Sequence, residues 1–216
     1  MSLAIVYTRA ALGIEAPLIT VEVHLSNGLP GLTMVGLPET TVKEARDRVR
    51  SALINSGYAF PAKKITINLA PADLPKEGGR YDLPIALALL VASEQLNTTR
   101  LNQYEFVGEL ALTGGLRGVP GAIPSAMEAI KAGRRIVVSS DNAAEVGLIG
   151  GSDCLVADHL QEVCAFLAGQ TSLSPPLAEA PARDERYEDL LDVIGQQQGK
   201  RALEIVAAGG HNLLLI

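Results

Sequence analysis

Asn68-Leu69-Ala70-Pro71-Ala72-Asp73-Leu74-Pro75-Lys76-Glu77-Gly78-Gly79-Arg80-Tyr81-Asp82-Leu83-Pro84-Ile85-Ala86 runs from the end of an alternating apolar segment, through a loop rich in Pro and Gly, directly into an apolar helix. Lys64 to Ala70 has the period-two rhythm of a half-buried strand, and Asp82 to Ala92 is apolar at nearly every position, with Pro84 in the first helical turn where it is tolerated. A strand feeding a helix through such a loop gathers loop amides and the positive helix end around Arg80 to Asp82. That geometry serves anion sites and nucleophile loops alike. Arg80 beside Gly78-Gly79 is a candidate phosphate contact, and the competing role for it is an ion pair with Asp82 or another acid that holds the loop.

Working outward, the flanking sequence continues to alternate strands and helices, the mark of an α/β (α+β) chain. Leu18 to Leu25 reads as a strand, and Ser26-Asn27-Gly28-Leu29-Pro30-Gly31 turns it back into Leu32-Thr33-Met34-Val35, so the two are expected to pair as a hairpin. Thr41-Val42-Lys43-Glu44 fits a capping box, Val42, Ala45, Val49, Ala52 and Leu53 line one helical face, and Gly57 supplies the left-handed end. Downstream, Phe106 to Leu112 reads as a strand, Ser125 to Ala132 as a helix, Arg135 to Ser139 as a strand and Leu160 to Leu167 as a helix.

Ser172-Leu173-Ser174-Pro175-Pro176-Leu177-Ala178-Glu179-Ala180-Pro181 carries three prolines and little periodicity, as a linker does. The expected organisation is a first domain over residues 1–169, a linker over 170–186 and the opening of a second domain over 187–216. The last stretch, Gly209-Gly210-His211-Asn212-Leu213-Leu214-Leu215-Ile216, reads as a helix cap followed by a buried strand of the parallel-sheet kind. In α/β nucleotide-binding domains the next element is often a glycine-rich phosphate loop, and no Gly-x-x-x-x-Gly-Lys-Ser/Thr occurs here. The sequence therefore reads as a fragment that stops just before such a loop.

Composition narrows the functional classes. The 216 residues are 48% hydrophobic with a mean hydropathy of +0.23, enough for one sizeable core and part of a second. A net charge of −6 argues against nonspecific coating of nucleic acid by the chain as a whole. One segment departs from that balance: residues 39 to 64 set Lys43, Arg46, Arg48, Arg50, Lys63 and Lys64 against Glu39, Glu44 and Asp47, a local excess of +3. Such charges on an amphipathic helix are the ordinary solvated face, or a phosphate-contacting patch. The amino-terminal sequence has no basic segment ahead of a long apolar run and no stretch long enough to span a bilayer, which leads us to expect a cytoplasmic protein without membrane contact. Cys154 and Cys164 are too few and too far apart for a disulfide scaffold or a Cys-x-x-Cys site, and His24, His159 and His211 stand apart from ligand-spaced acids, so no metal site is assigned.

The Pro75-Lys76-Glu77-Gly78 loop and the later Gly108-Glu109…Thr113-Gly114-Gly115-Leu116-Arg117-Gly118-Val119-Pro120…Ser125 segment resemble the proteolytic domain of Lon-type proteases. The resemblance implies a ribosomal S5 domain 2-like fold. Matching the loops by their flanks puts Arg80 at the position of the family's nucleophilic Ser and Pro124 at that of its dyad Lys. A guanidinium is no nucleophile and a proline carries no amine, so acyl transfer has neither of its partners here, and the loop from Pro71 to Tyr81 contains no Ser, Thr or Cys. Ser125 without a base reads as a helix cap. No residue is assigned a catalytic role.

Asp189-Leu190-Leu191-Asp192-Val193-Ile194-Gly195-Gln196, the helix after it and the Ala208-Gly209-Gly210-His211-Asn212-Leu213-Leu214 string closely resemble the start of the ATPase module of Mg-chelatase-like AAA+ proteins. With Gly36-Leu37-Pro38-Glu39-Thr40-Thr41-Val42-Lys43-Glu44-Ala45-Arg46, the whole chain resembles the ComM/YifB family. That resemblance implies a Lon-type amino-terminal domain followed by an AAA+ module that assembles with itself as a hexamer, binds ATP and Mg, and acts as a helicase on branched or single-stranded DNA during recombination of incoming DNA. It places Val193, Ile194, Gly195 and Gln196 beside the adenine in the longer protein. It implies neither ATP binding nor ATPase activity for these 216 residues, which lack the phosphate loop and the Mg-binding acid. DNA contact, if made by the first domain, falls to Lys43, Arg46, Arg50, Lys63, Lys64 and Arg80. A residual hydrolase and a chelatase-type subunit acting with protein partners remain the alternatives.

Overall fold

The structure is a computed structural model. It describes residues 3–39, 42, 44–149, 153–176 and 189–215, which fall into two compact units, Met1–Glu179 and Ala180–Ile216. The alternation read from the sequence yields strands β1 (Leu3–Arg9), β2 (Leu18–Ser26) and β3 (Gly31–Val35), then helix α1 (Ala45–Asn55), β4 (Lys64–Ala70), α2 (Asp82–Ala92) and β5 (Tyr104–Phe106). A short β6–β7 ribbon follows (Glu109–Leu110 and Leu116–Arg117), then α3 (Ala122–Lys131), β8 (Arg135–Ser139), α4 (Ala143–Gly147), β9 (Cys154–Ala157) and α5 (Leu160–Leu167).

The main strands form one mixed sheet in the order β3-β4-β2-β1-β5-β8-β9. β2 runs antiparallel to both β1 and β4, and every other neighbouring pair is parallel. The expected β2–β3 hairpin is therefore corrected: β4 lies between the two, and β3 pairs parallel with β4, Leu32 opposite Ile65 and Met34 opposite Ile67. Burial explains the outcome. Ile65, Ile67 and Leu69 of β4 are fully buried and belong inside the sheet, whereas no residue of β3 is fully buried, which suits an edge. The segment between β3 and β4 holds α1, the crossover that a parallel pair requires.

Helix α2 is buried at every residue except Val91 and occupies one face of the sheet, where each fully buried Leu or Ile contributes roughly 1.5–3 kcal/mol. Val42, Ala45, Val49, Ala52 and Leu53 join the same core, as their helical spacing predicts, and Gly57 has φ +83° past the end of α1. Glu44 caps α1 through its backbone only, and Thr41, the other half of the expected capping box, lies outside the described residues. A second core of Val107, Ala122, Ala126, Ala129, Ile136 and Val138 covers the opposite face. β8 separates the two, with Val137 in the first and its neighbours in the second.

Three further expectations change. Phe106 to Leu112 is not one strand: β5 ends at Phe106, Val107 and Gly108 donate their N–H groups to Val137 O (3.0 Å) and Arg80 O (3.2 Å), and the chain re-enters as β6. Ser125 is no cap. It sits inside α3, whose N-cap is Gly121, and its hydroxyl donates to Gly121 O at 2.8 Å. The residues expected to begin a linker are partly docked on the first unit, since Leu173 packs against the core and Val156 N–H donates to Ser174 O at 3.0 Å.

In the second unit, Asp189 and Asp192 form a reciprocal capping box, Gly195 and Gln196 take φ +74° and +52°, and α6 (Gln197–Gly209) ends at Gly210 in the left-handed conformation. Asn212 to Leu215 are exposed and form no strand, contrary to expectation, because the second unit has no described strand of its own to pair with their backbone groups.

Candidate nucleic-acid interface and the Arg80 cavity

Arg46 and Arg50 stand one turn apart on the exposed side of α1, and Lys63 leads into β4. The fold brings all three to the rim of one depression of about 190 Å³, whose other walls include Pro30, Leu32, Phe60 and Pro61. The Arg50 guanidinium lies 5.4 Å from the centre of the Phe60 ring, which orients it without neutralising it. Three cations around an aromatic-walled hollow make a surface suited to phosphate and base or sugar contact. Lys64 is exposed next in sequence, with its side chain against Gly28, and is not among the residues lining the hollow. Lys43 lies outside the described residues. Another hollow of the first unit, about 550 Å³ beside Asp158, Gln161 and Glu162, has no basic residue in its lining.

Arg80 belongs to a different place. It is only 4% exposed, which removes it from any shared DNA-contacting surface with Arg46 and Arg50. Its Nη2 donates to Pro120 O (3.2 Å) and to Ser125 Oγ (3.3 Å), while Nε and Nη1 find no acceptor among the described residues. Burial pushes its pKa below the usual guanidinium value. The cavity it borders, about 300 Å³, is lined also by Gly78, Gly79, Gly118, Glu77 and Glu109. Gly78 has φ +74°, which favours glycine, while a Cβ on Gly79 would meet the Glu109 side chain, which would have to shift.

The expected Arg80–Asp82 pair is replaced by another. Asp82 is fully buried and accepts from Arg48 Nε at 2.7 Å and Arg48 Nη2 at 3.0 Å, and from Leu110 N–H at 3.2 Å. Burial raises the Asp82 pKa to about 6 against the opposing pull of Arg48. Arg48 is thus no solvated charge of α1, and its place three residues after buried Ala45 and four before buried Ala52 is the sequence signal that sets it on the buried flank. Phe60 escapes a reading by charge alone, although an aromatic three residues before a Lys pair is an available cue. Ser125 meets a guanidinium where catalysis would need a base, so the pair cannot generate a nucleophile.

Val193 and Ile194 are exposed in the turn before α6, and that turn offers neither a phosphate loop nor a carboxylate set for Mg. Cys154 and Cys164 are buried free thiols. Among the described residues there is no grouping of His, Cys, Asp or Glu that could hold a metal ion, and no helix is long and apolar enough to cross a membrane.

A mixed α/β sheet carrying a strand–glycine loop–helix unit, followed by a separately capped helix, is the class these residues define. The family profile described as subunit ChlI of Mg-chelatase matches residues 21–142, and that of magnesium chelatase, subunit ChlI, matches residues 189–216. The chain belongs to this Mg-chelatase subunit ChlI family. It is 76% identical over 216 residues to the uncharacterized protein YifB of Salmonella typhimurium, and 74% identical to that of Escherichia coli. It is 56% identical over 223 residues to the competence protein ComM of Haemophilus influenzae. Each alignment covers 100% of this chain and 43% of the relative, so the chain spans less than half the length of the curated relatives it matches.

Proposed function

We propose that the first unit is the non-proteolytic, Lon-type (ribosomal S5 domain 2-like) domain of an ATP-driven AAA+ DNA helicase of competence and recombination, and that it guides DNA through the Arg46–Arg50–Lys63 depression. The observation that carries the reading is the convergence of those three cations on one aromatic-walled hollow within an acidic chain. The name of the Haemophilus relative supports the link to competence. The Lon-type reading draws on spatial placement. A Cβ at Gly121 would sit 3.9 Å from Pro124 and 4.0 Å from Arg80 Nη2, so the two residues matched to the missing dyad face the same point. Hexamer formation, with ATP and Mg bound downstream and Val193 to Gln196 flanking the adenine, belongs to the longer protein in this proposal. These residues supply an adenine wall at most, so no step of phosphoryl transfer is assigned to them.

Binding of a fluorescent forked DNA by the 216-residue chain across a salt series tests this. Wild type should bind with a salt-dependent affinity, and Arg46→Glu, Arg50→Glu and Lys63→Glu should each weaken binding and lower the log–log salt slope by about 1. Binding unaffected by all three reversals, or no binding by a chain whose longer form binds firmly, would leave this domain a scaffold for assembly.

A further inference from the structure

We infer that the cavity beside Arg80 is a binding site for a small oxyanion, a carboxylate or phosphate group, separate from the basic depression on α1. A guanidinium taken out of water with several N–H groups unpaired is costly, and an anionic acceptor relieves that cost directly. Arg80 meets those conditions: it is 4% exposed, Nε and Nη1 have no acceptor, and no carboxylate pairs with it among the described residues. The nearest acid in the following helix, Asp82, is already engaged by Arg48 and Leu110. The guanidinium is also held in place, since Nη2 is fixed by Pro120 O and Ser125 Oγ, and Pro120 is itself part of the cavity wall. The backbone at Gly78, Gly79 and Gly118, also in the cavity wall, carries no side chain to fill the hollow.

Size and charge select the ligand class. About 300 Å³ admits one small molecule or a single terminal group. Glu77 and Glu109 line the same cavity, with Glu109 3.6 Å from Arg117 Nη1. Two acids there repel a polyanion such as a nucleic-acid backbone while leaving one buried cation for one oxyanionic group. The site is thus distinct in both place and selectivity from the surface proposed for DNA.

Titrating the isotopically labelled 216-residue chain with sodium phosphate and, separately, sodium acetate tests the assignment. Sodium chloride at matched ionic strength serves as the control. The readouts are the Arg80 Nε–Hε resonance, the amides of Gly78, Gly79 and Gly118, and the melting temperature. One of the two anions should move these resonances saturably and raise the melting temperature, the tighter one identifying phosphate or carboxylate as the ligand chemistry. Arg80→Gln should abolish the response, Arg46→Glu/Arg50→Glu should leave it intact, and Glu109→Gln should strengthen it several-fold. Should Arg80→Gln fail to fold, saturable wild-type shifts together with tighter binding by Glu109→Gln support the site, and shifts without that tightening overturn it. Resonances that do not respond to either anion beyond the chloride control would also overturn it, as would a response that survives in Arg80→Gln or vanishes in Arg46→Glu/Arg50→Glu.

Discussion

Asp82 opens α2 with its carboxylate sealed from water, and the two hydrogen bonds from Arg48 are what keep an ion there tolerable. Removing the guanidinium leaves a buried carboxylate that still accepts from Leu110 N–H but has lost its countercharge. Arg48→Met is therefore expected to cost about 3–5 kcal/mol in urea unfolding, whereas Arg46→Met, on the exposed side of the same helix, should stay within about 0.5 kcal/mol. The same residue gives a pH signature. With a folded pKa of about 6 against an ordinary value of 3.8, Asp82 binds more proton in the folded than in the unfolded chain between those two values. Its contribution to stability is thus complete below the ordinary value and declines as pH rises to about 6, by at most about 3 kcal/mol. Unfolding measured across that window should show wild type losing stability relative to Asp82→Asn as pH rises. Parallel curves for the two proteins would contradict the burial argument.

At the scale of elements, the parallel β3–β4 ladder from Gly31 to Val35 ends in one close approach. Gly36 follows β3 with φ +97°, and a Cβ there would lie 2.1 Å from Leu69 O, a backbone atom that cannot move aside. Gly36→Ala should therefore destabilise the first unit by about 2–4 kcal/mol, while Gly13→Ala, with open space around it, should cost only the strain of its φ of +60°, about 1 kcal/mol. Chemical denaturation of the two variants compares these directly. This pairing is also where the sequence misleads. Period-two alternation in Leu18–Leu25 and Lys64–Ala70 and the all-apolar run of Leu83–Ala92 mark elements whose contacts are with a whole face, so composition specifies them. Which strands lie side by side depends on total burial across the sheet, which adjacent segments do not encode, and so a Gly- and Pro-rich turn has the look of a hairpin without being one. β9 and α4 are four and five residues long, too short for a period to declare itself in the sequence. The site is legible in the same measure: charge excess points to Arg46, Arg50 and Lys63, but the burial of Arg80 and the capture of Asp82 by Arg48 are tertiary facts.

For the whole molecule, the distribution of buried surface decides what can fold alone. Both hydrophobic cores lie between Ala4 and Leu167, with Leu173 packed on the larger one, and no residue of α6 is buried. Stability scales with apolar area removed from water, so the second unit adds little to the unfolding free energy of the first. A chain ending after Pro176 keeps every core residue, the Val156–Ser174 hydrogen bond, the Arg46–Arg50–Lys63 depression and the Arg80 cavity. Calorimetry should show that chain melting cooperatively within about 2 °C of the 216-residue form, a shift no larger than about 1 kcal/mol produces in a domain of this size. Deleting residues 3–9 instead removes β1, the strand between β2 and β5, and should abolish cooperative folding. A large loss of stability on removing residues 177–216 would mean that the second unit carries core contacts for the first, and would oblige any assay of the basic depression or the Arg80 cavity to retain it.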